Sequence, residues 1–289
     1  MMTRWDPGTS NSTKRRHDRT APRVTPTVLL GTVALEPNRW GTIDRSGAAT
    51  IDLAALLPHI AATGFDGLEV WDRHLTQASA TDAERLIDGP LPLTVFNSYV
   101  GFDDPDPTAR NEVAAWVARA RSRGVKFNVG NDPASAERYA ERIAAWLEVL
   151  PPGVAVLCEC HAGISIAEEP AVAATIFAAA GPADRVQAIV HTHEEPDHLR
   201  ARFDAYGERI THVHVNFLDA RAGGAPALTE KRDELVQKVE LLDSLGYRGS
   251  WTIEFVRGLL TDNDHPELLL DQATHDLAAL REVLEEHPA

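Results

Sequence analysis

The chain has 289 residues, of which 44% are hydrophobic, so it is long and apolar enough to bury a sizeable core. Its formal net charge is −15, and residues 27–289 alone carry −19 because residues 1–26 hold six basic and two acidic side chains. A body with so much negative charge opposes binding along a nucleic-acid backbone. No apolar run reaches the length of about 18 residues that a membrane helix needs.

Residues 1–26 differ in composition from the rest of the chain. They are rich in Ser, Thr, Pro and Arg and show almost no apolar periodicity, so we expect a disordered tail. The run KRRHDR (14–19) could contact an anion or a nucleic acid, but a solvated tail is the simpler interpretation. The segment lacks the apolar stretch of a signal peptide. Because the chain has only Cys158 and Cys160, no disulfide framework is expected, which favours a cytoplasmic location.

From residue 27 onward, short apolar or β-branched runs alternate with amphipathic helical stretches. The run TVLLGTVAL (27–35) is typical of a strand, and IDLAALLPHIAATG (51–64) is typical of a helix that ends at a glycine. In chain order, the predicted strands are 27–35, 67–71, 93–100, 125–130, 154–161, 186–193, 210–217 and 250–256. The predicted helices are 51–64, 80–88, 107–124, 135–150, 168–180, 195–207, 229–245 and 266–286.

Eight strand-then-helix units predict a parallel sheet with helices on its outside. Their number and the length of 27–289 match a single (β/α)₈ TIM barrel in the α/β class, preceded by the tail. A doubly wound open sheet would usually show a Gly-rich phosphate turn after its first strand, and ALEPNRWG is not one. The loop 219–228, DARAGGAPAL, is either a mobile lid or an ordinary surface loop.

Polar side chains collect where the predicted strands end, which is the face of a TIM barrel that carries the active site. Alternate residues of a strand share one face, so three pairs can point into the barrel mouth together. These pairs are Glu159 and His161, His191 and His193, and His212 and His214. With Glu254 at the end of the eighth strand, they predict a site for a divalent ion with mixed imidazole and carboxylate ligands.

Two further groups of residues are placed by the same alternation. The cysteines on either side of Glu159 should face the helices as buried thiols. In AIVHTHEEPDHL (188–199), the segment EEPDHL should begin the next helix with its acids at the helix N-terminus, which leaves His198 on the surface.

Four of these motifs together resemble the xylose isomerase-like TIM-barrel superfamily, in the sugar-phosphate isomerase/epimerase group. The motifs are GFDGLEVW (64–71), LCECHAG (157–163), RITHVHVNFLDAR (209–221) and GSWTIEFV (249–256), and the resemblance covers about residues 27–285. It implies that Glu159, His214 and Glu254 are metal ligands.

The sixth strand departs from the family pattern, which has Asp there and His three residues later. In IVHTHEEP, His191 stands at the Asp position and Glu194 at the position of the later His, and His193 is the alternative ligand if the register shifts. Two carboxylates instead of three should favour Mn²⁺ or Zn²⁺, with Co²⁺, Fe²⁺ and Mg²⁺ as the other candidates.

The resemblance implies a metal-dependent isomerase or epimerase of a keto sugar or related polyol, working through an enediolate, with Glu159 and Glu254 exchanging the proton. The residues expected to contact such a carbohydrate-like substrate are His161, His193, Arg257, Lys126, Trp71 and Asn97. Trp40 and Trp71 could form a flat apolar wall or could only pack.

Three other functions stay open at this point. The same site could expel a leaving group, as a lyase or a dehydroshikimate dehydratase-like enzyme does, or the barrel could be degenerate and non-catalytic. DNA repair like that of endonuclease IV is opposed by the negative charge. We expect no nucleic-acid or membrane partner, and the resemblance implies a homo-oligomer.

Overall fold

A computed structural model describes residues 25–161, 163–218 and 224–287. Most of the predicted tail, residues 1–24, lies outside these ranges, as do residues 219–223 of the loop 219–228. None of the helices in these ranges is both long enough and apolar enough to cross a membrane.

Eight parallel strands form a closed barrel in chain order, and the last strand pairs with the first. This confirms the predicted (β/α)₈ fold over the doubly wound alternative. The strands are β1 (Val28–Gly31), β2 (Gly67–Trp71), β3 (Leu93–Asn97), β4 (Gly124–Phe127), β5 (Ala155–Glu159), β6 (Val186–His191), β7 (Ile210–Val215) and β8 (Ser250–Ile253).

Helices follow the strands and surround the barrel. In the described ranges the α-helices are α1 (Leu53–Ala61), α2 (Asp72–Thr76), α3 (Ala80–Ile87), α4 (Thr108–Ala120), α5 (Ala136–Val149), α6 (Pro170–Ala180), α7 (Pro196–Tyr206), α8 (Arg232–Ser244) and α9 (Pro266–Glu286). Asp52 stands at the N-cap of the first helix, and its side chain accepts a hydrogen bond from the backbone N–H of Ala55. The short α2 was not predicted, because it begins directly where β2 ends and is only five residues long.

Most strands end earlier than their apolar runs. Beyond Gly31, the predicted first strand becomes a buried 3-10 helix, Thr32–Leu35. The segments that follow the strands are buried as well, and apolar residues are favoured there too. An apolar run therefore does not show where the hydrogen bonding between strands stops. The consequence for the site is that His161, His193 and Glu254 stand just beyond their strands, in the segments that turn over the barrel mouth.

The barrel interior is apolar below the level of the site. Leu29, Val95, Leu157 and Ile189 form a buried cluster of their own, separate from the larger core between strands and helices. Strand residues alternate between the two faces, so these four fill the inside of the barrel. The polar side chains at the carboxyl ends of the strands therefore lie above a layer of packed apolar side chains.

Candidate metal centre

Four side chains predicted as metal ligands converge at the carboxyl ends of neighbouring strands. Glu159 ends β5, His191 ends β6, His214 lies in β7, and Glu254 follows β8 directly. His191 and His214 are register partners, which puts them at the same height in the barrel. All four are buried, and one potential ligand atom from each lies within 4.8 Å of the others.

The spacing of the donor atoms suits a divalent ion. Nδ1 of His214 lies 3.2 Å from Nε2 of His191, 3.1 Å from Oε1 of Glu254 and 3.8 Å from Oε1 of Glu159. Nε2 of His191 lies 3.5 Å from the same Glu159 oxygen and 3.9 Å from Oε2 of Glu254. Ligands about 2.0–2.2 Å from a tetrahedral ion would be about 3.4 Å apart. The residues therefore fit a metal with mixed nitrogen and oxygen ligands.

His191 belongs to this cluster and His193 does not. The second imidazole turns toward the rim, where its Nδ1 lies 3.0 Å from Oδ1 of Asn216 and its Nε2 lies 3.0 Å from Nε2 of His161. Of the two strand-six alternatives, the geometry therefore favours His191 as the ligand. His161 and His193 lie beside the cluster, with ring centroids 4.9 and 5.0 Å from that of His191.

Charges around the cluster keep both carboxylates ionised. Burial raises the pKa of Glu159, but the neighbouring Lys126 and the imidazoles outweigh it and hold the pKa below the usual range. Burial likewise raises the pKa of Glu254, and the adjacent His214 outweighs it. By contrast, burial and nearby positive charge lower the pKa of His193 to about 4, so its imidazole is neutral at pH 7.

Three of the predicted substrate residues line the other half of the mouth. Trp71, Asn97 and Lys126 are register partners on β2, β3 and β4, so they stand at one level. In the described part of the chain, Nε1 of Trp71 and Oδ1 of Asn97 are buried without a hydrogen-bond partner. Oδ1 of Asn128, just beyond β4, is also buried without a hydrogen-bond partner. Buried polar atoms are normally satisfied, so these atoms suit the hydroxyl groups of a ligand.

Two other predicted contacts lie at the rim. The side chain of Arg257 is 62% exposed and pairs with Glu230, and no described hydrogen bond or ion pair joins it to the metal cluster. Trp40 is 50% exposed, and its ring packs edge-on against Phe255 with centroids 5.3 Å apart. Its backbone is left-handed, with φ of 59° and ψ of 13°.

Sequence reasoning gave no role to Glu69, although it stands inside β2 between apolar residues. Its side chain is fully buried and accepts hydrogen bonds from Nδ2 of Asn97 and from the imidazoles of His212 and His214. The sequence did contain a signal for such a role: Glu69 is the charged residue of a strand that is otherwise apolar. A carboxylate buried in such a strand needs hydrogen-bond or charge partners. Asn216 was likewise passed over, and its Nδ2 donates to Oε2 of Glu254.

In the EEPDHL segment, Glu195 stands at the N-cap of α7 and Asp197 in its first turn, as expected, and Glu194 lies before the helix. His198 is exposed, but Glu194 is buried and accepts hydrogen bonds from Arg202 and from the backbone N–H of His191. Burial raises the pKa of Glu194, and these partners outweigh it to give about 2. Glu194 therefore ties the end of β6 to α7 and is not a solvated helix-terminal acid. Cys158 and Cys160 are buried free thiols, as expected.

Comparison with solved structures identifies the fold. No protein-family model and no curated protein matches the sequence. A xylose isomerase domain protein from Alicyclobacillus acidocaldarius superposes with a TM-score of 0.62 at 19% identity, covering 90% of this chain and 100% of that chain. The IolI protein with a bound zinc atom gives a TM-score of 0.60 at 14% identity, covering 89% and 98%.

Endonuclease IV from Thermus thermophilus shares the architecture as well, with a TM-score of 0.56 at 16% identity over 81% of this chain and 94% of that chain. At such low identities the likeness concerns the fold. The chain shares the TIM-barrel fold of these proteins, which is the fold that the resemblance drawn from the strand motifs implied.

Proposed function

We propose that the protein is a divalent-metal-dependent isomerase or epimerase of a keto sugar or a related polyol. The observation that carries the proposal is the placement of two ionised, buried carboxylates, Glu159 and Glu254, in one cluster with two imidazoles at the barrel mouth. Isomerisation of an α-hydroxy carbonyl compound needs a base that removes the proton next to the carbonyl, and epimerisation also needs a second group on the opposite face to deliver a proton.

In this proposal Glu159, His191, His214 and Glu254 hold the ion. A divalent ion bound there would polarise the substrate carbonyl and acidify the adjacent C–H. One carboxylate oxygen, on Glu159 or on Glu254, accepts the proton from that carbon. In an isomerase the carboxylic acid so formed returns the proton to the neighbouring carbon, while a proton passes between the two substrate oxygens. In an epimerase the opposite carboxylate, after taking a proton from solvent, delivers it to the other face of the same carbon, and the first carboxylic acid releases its proton to solvent.

The ligand set favours Mn²⁺ or Zn²⁺. Two imidazoles and two carboxylates carry less negative charge than an all-oxygen site, and imidazole nitrogen suits these ions better than Mg²⁺. The zinc atom in the structure of IolI, which shares the fold, supports this choice. Co²⁺ is the useful spectroscopic substitute.

The rest of the mouth suits a neutral, hydroxylated ligand. Trp71 offers an N–H, and Asn97 and Asn128 offer acceptor oxygens, a combination that hydroxyl groups can satisfy. Lys126 is committed to Glu159, with Nζ 2.5 Å from Oε2, and Arg257 to Glu230. No described cation near the cluster is therefore left over for a phosphate group, which favours an unphosphorylated substrate.

The charge of the body and the state of the cysteines bear on partners and location. We propose a small-molecule substrate and no nucleic-acid or membrane partner, in keeping with the acidic body. The two free thiols support a cytoplasmic location. Assembly into a homo-oligomer is carried over from the resemblance.

The test is turnover of a panel of unphosphorylated ketoses by the Mn²⁺-loaded or Zn²⁺-loaded protein in D₂O, followed by NMR. The expected product is an isomer with deuterium at the carbon that received the new proton, or an epimer with deuterium at the inverted carbon. Glu159→Gln and Glu254→Gln should lose this exchange, whereas the surface variant His198→Ala should keep it. A product lighter by one water would replace the proposal with a lyase. Absence of both metal and turnover would leave a binding barrel.

A further inference from the structure

We infer that Glu69 is a positioning residue, which selects the His214 nitrogen that faces the metal centre. The inference rests on the proposed metal centre and goes beyond it, because Glu69 lies outside the four ligands. Nε2 of His214 lies 3.1 Å from both carboxylate oxygens of Glu69. Nδ1, on the other side of the ring, faces His191 and Glu254 at 3.2 and 3.1 Å.

The chemistry of these groups determines where the proton of a neutral His214 resides. A carboxylate only accepts hydrogen bonds, so the imidazole must present N–H to it. A neutral imidazole has one N–H, and the contact with Glu69 places it on Nε2. The lone pair is then on Nδ1, where a metal can bind it. This is the carboxylate–histidine–metal arrangement that fixes the orientation of a ligand and raises its basicity.

Glu69 is itself held in place, which a positioning role requires. Its Oε1 accepts a hydrogen bond from Nδ2 of Asn97 at 2.8 Å, and its Oε2 lies 2.9 Å from Nε2 of His212. His212 is in turn fixed by Ser250 and Thr252, at 2.7 and 2.8 Å. The carboxylate therefore cannot rotate away without breaking bonds to β3 and β7 together.

A second metal ion is the competing explanation, because Glu69, His212 and His214 also lie close enough to share one. Hydrogen bonding within the protein argues against it. Nε2 of His212 already contacts both Glu69 and Thr252. A network whose polar atoms are paired serves as support for the ligands above it.

The experiment compares Co²⁺ binding by the wild type, Glu69→Gln, Glu69→Leu and the control Glu36→Gln. Glu36 and His74 form a matched buried pair, 3.2 Å apart, outside the metal cluster. Leucine removes both acceptors, so Glu69→Leu should bind Co²⁺ about 10–100-fold more weakly and shift its visible absorption bands. Glu69→Gln retains one acceptor oxygen for Nε2–H and should recover most of the affinity. Glu36→Gln should leave affinity and spectrum unchanged.

A second readout does not depend on the stability of a variant. In the Zn²⁺-loaded wild type, ¹⁵N NMR of His214 should place the proton on Nε2, and a proton on Nδ1 would overturn the inference. So would an unchanged Co²⁺ affinity in Glu69→Leu. Two ions per wild-type chain and one in Glu69→Gln would make Glu69 a ligand instead. If the wild type binds one ion but converts no ketose, the proposed activity is refuted, whereas the positioning role of Glu69 is not.

Discussion

Lys126 on β4 and Glu159 on β5 form an ion pair at the mouth of the barrel, and both side chains are almost completely buried. A charge removed from water is costly unless an opposite charge compensates it. Here the lysine compensates a carboxylate that also belongs to the metal cluster. The pair therefore keeps Glu159 ionised and oriented before any ion or substrate binds.

Removal of the lysine charge should destabilise the protein. Lys126→Met leaves Glu159 buried without its cation, so the free energy of unfolding should fall by about 3–5 kcal/mol. Urea unfolding in the presence of a chelator measures this. The exposed pair Lys231–Glu234 provides the control, and Lys231→Met should cost no more than about 1 kcal/mol. Equal effects of the two variants would show that burial of the Lys126 pair has no energetic consequence.

Metal content should depend on His191 and not on its neighbour in sequence. The wild type, loaded with Zn²⁺ and then dialysed, should retain one ion per chain by elemental analysis. His191→Ala removes one of the four donors and should weaken binding by at least tenfold, so that the ion is lost on dialysis. The exposed His198 is the control, and His198→Ala should retain the ion. Full retention by His191→Ala would exclude His191 as a ligand.

The free energy of unfolding should fall at acidic pH, in part because Glu36 becomes protonated. Burial raises the pKa of this carboxyl, but hydrogen bonds from His74, Thr50 and the backbone outweigh it and lower the pKa from 4.5 to about 2. A group with a lowered folded pKa stabilises above its unfolded pKa and loses that contribution as pH falls through the folded value. The destabilisation by Glu36→Gln should therefore be largest above about pH 4.5 and shrink toward pH 2.

Urea unfolding of the wild type and Glu36→Gln at several pH values between 6 and 3 tests this. The gap between the two free energies of unfolding should narrow steadily over the acidic half of the range. A constant gap would mean that the carboxylate charge of Glu36 contributes nothing to stability beyond a neutral hydrogen bond.

A left-handed residue at the end of α4 offers a test of backbone strain. Arg121 has φ of 56° and ψ of 30°, a conformation that glycine adopts without steric cost. Arg121→Gly should stabilise the protein by about 0.5–1 kcal/mol, less the weak contribution of its exposed ion pair with Asp88. Arg119→Gly, within the same helix, should instead destabilise by about 1 kcal/mol. Thermal unfolding should shift the two variants in opposite directions.

Local patterns in the sequence were enough for most of the fold. The change between strand-like runs and helical periodicity predicted eight units, and it placed β2 at 67–71 and α9 at 266–286 as the structure has them. Closure of the barrel followed from the number of units. Strand ends were less predictable. Residues such as His161 and His193 are half-buried although their backbone lies beyond the strands, so the sequence pattern does not change where the strand hydrogen bonding ends.

Because strand ends of a barrel meet at one mouth, the sequence could gather the strand-end glutamates and histidines at one site, and the family resemblance singled out Glu159, His214 and Glu254 among them as ligands. The sequence alone left His191 and His193 as alternatives, and the orientation of the two rings, which favours His191, came only from the folded barrel. Glu69 depends on tertiary structure entirely. Its partner His214 is 145 residues away in the chain, and only closure of the barrel carries β2 and β7 to within hydrogen-bond distance.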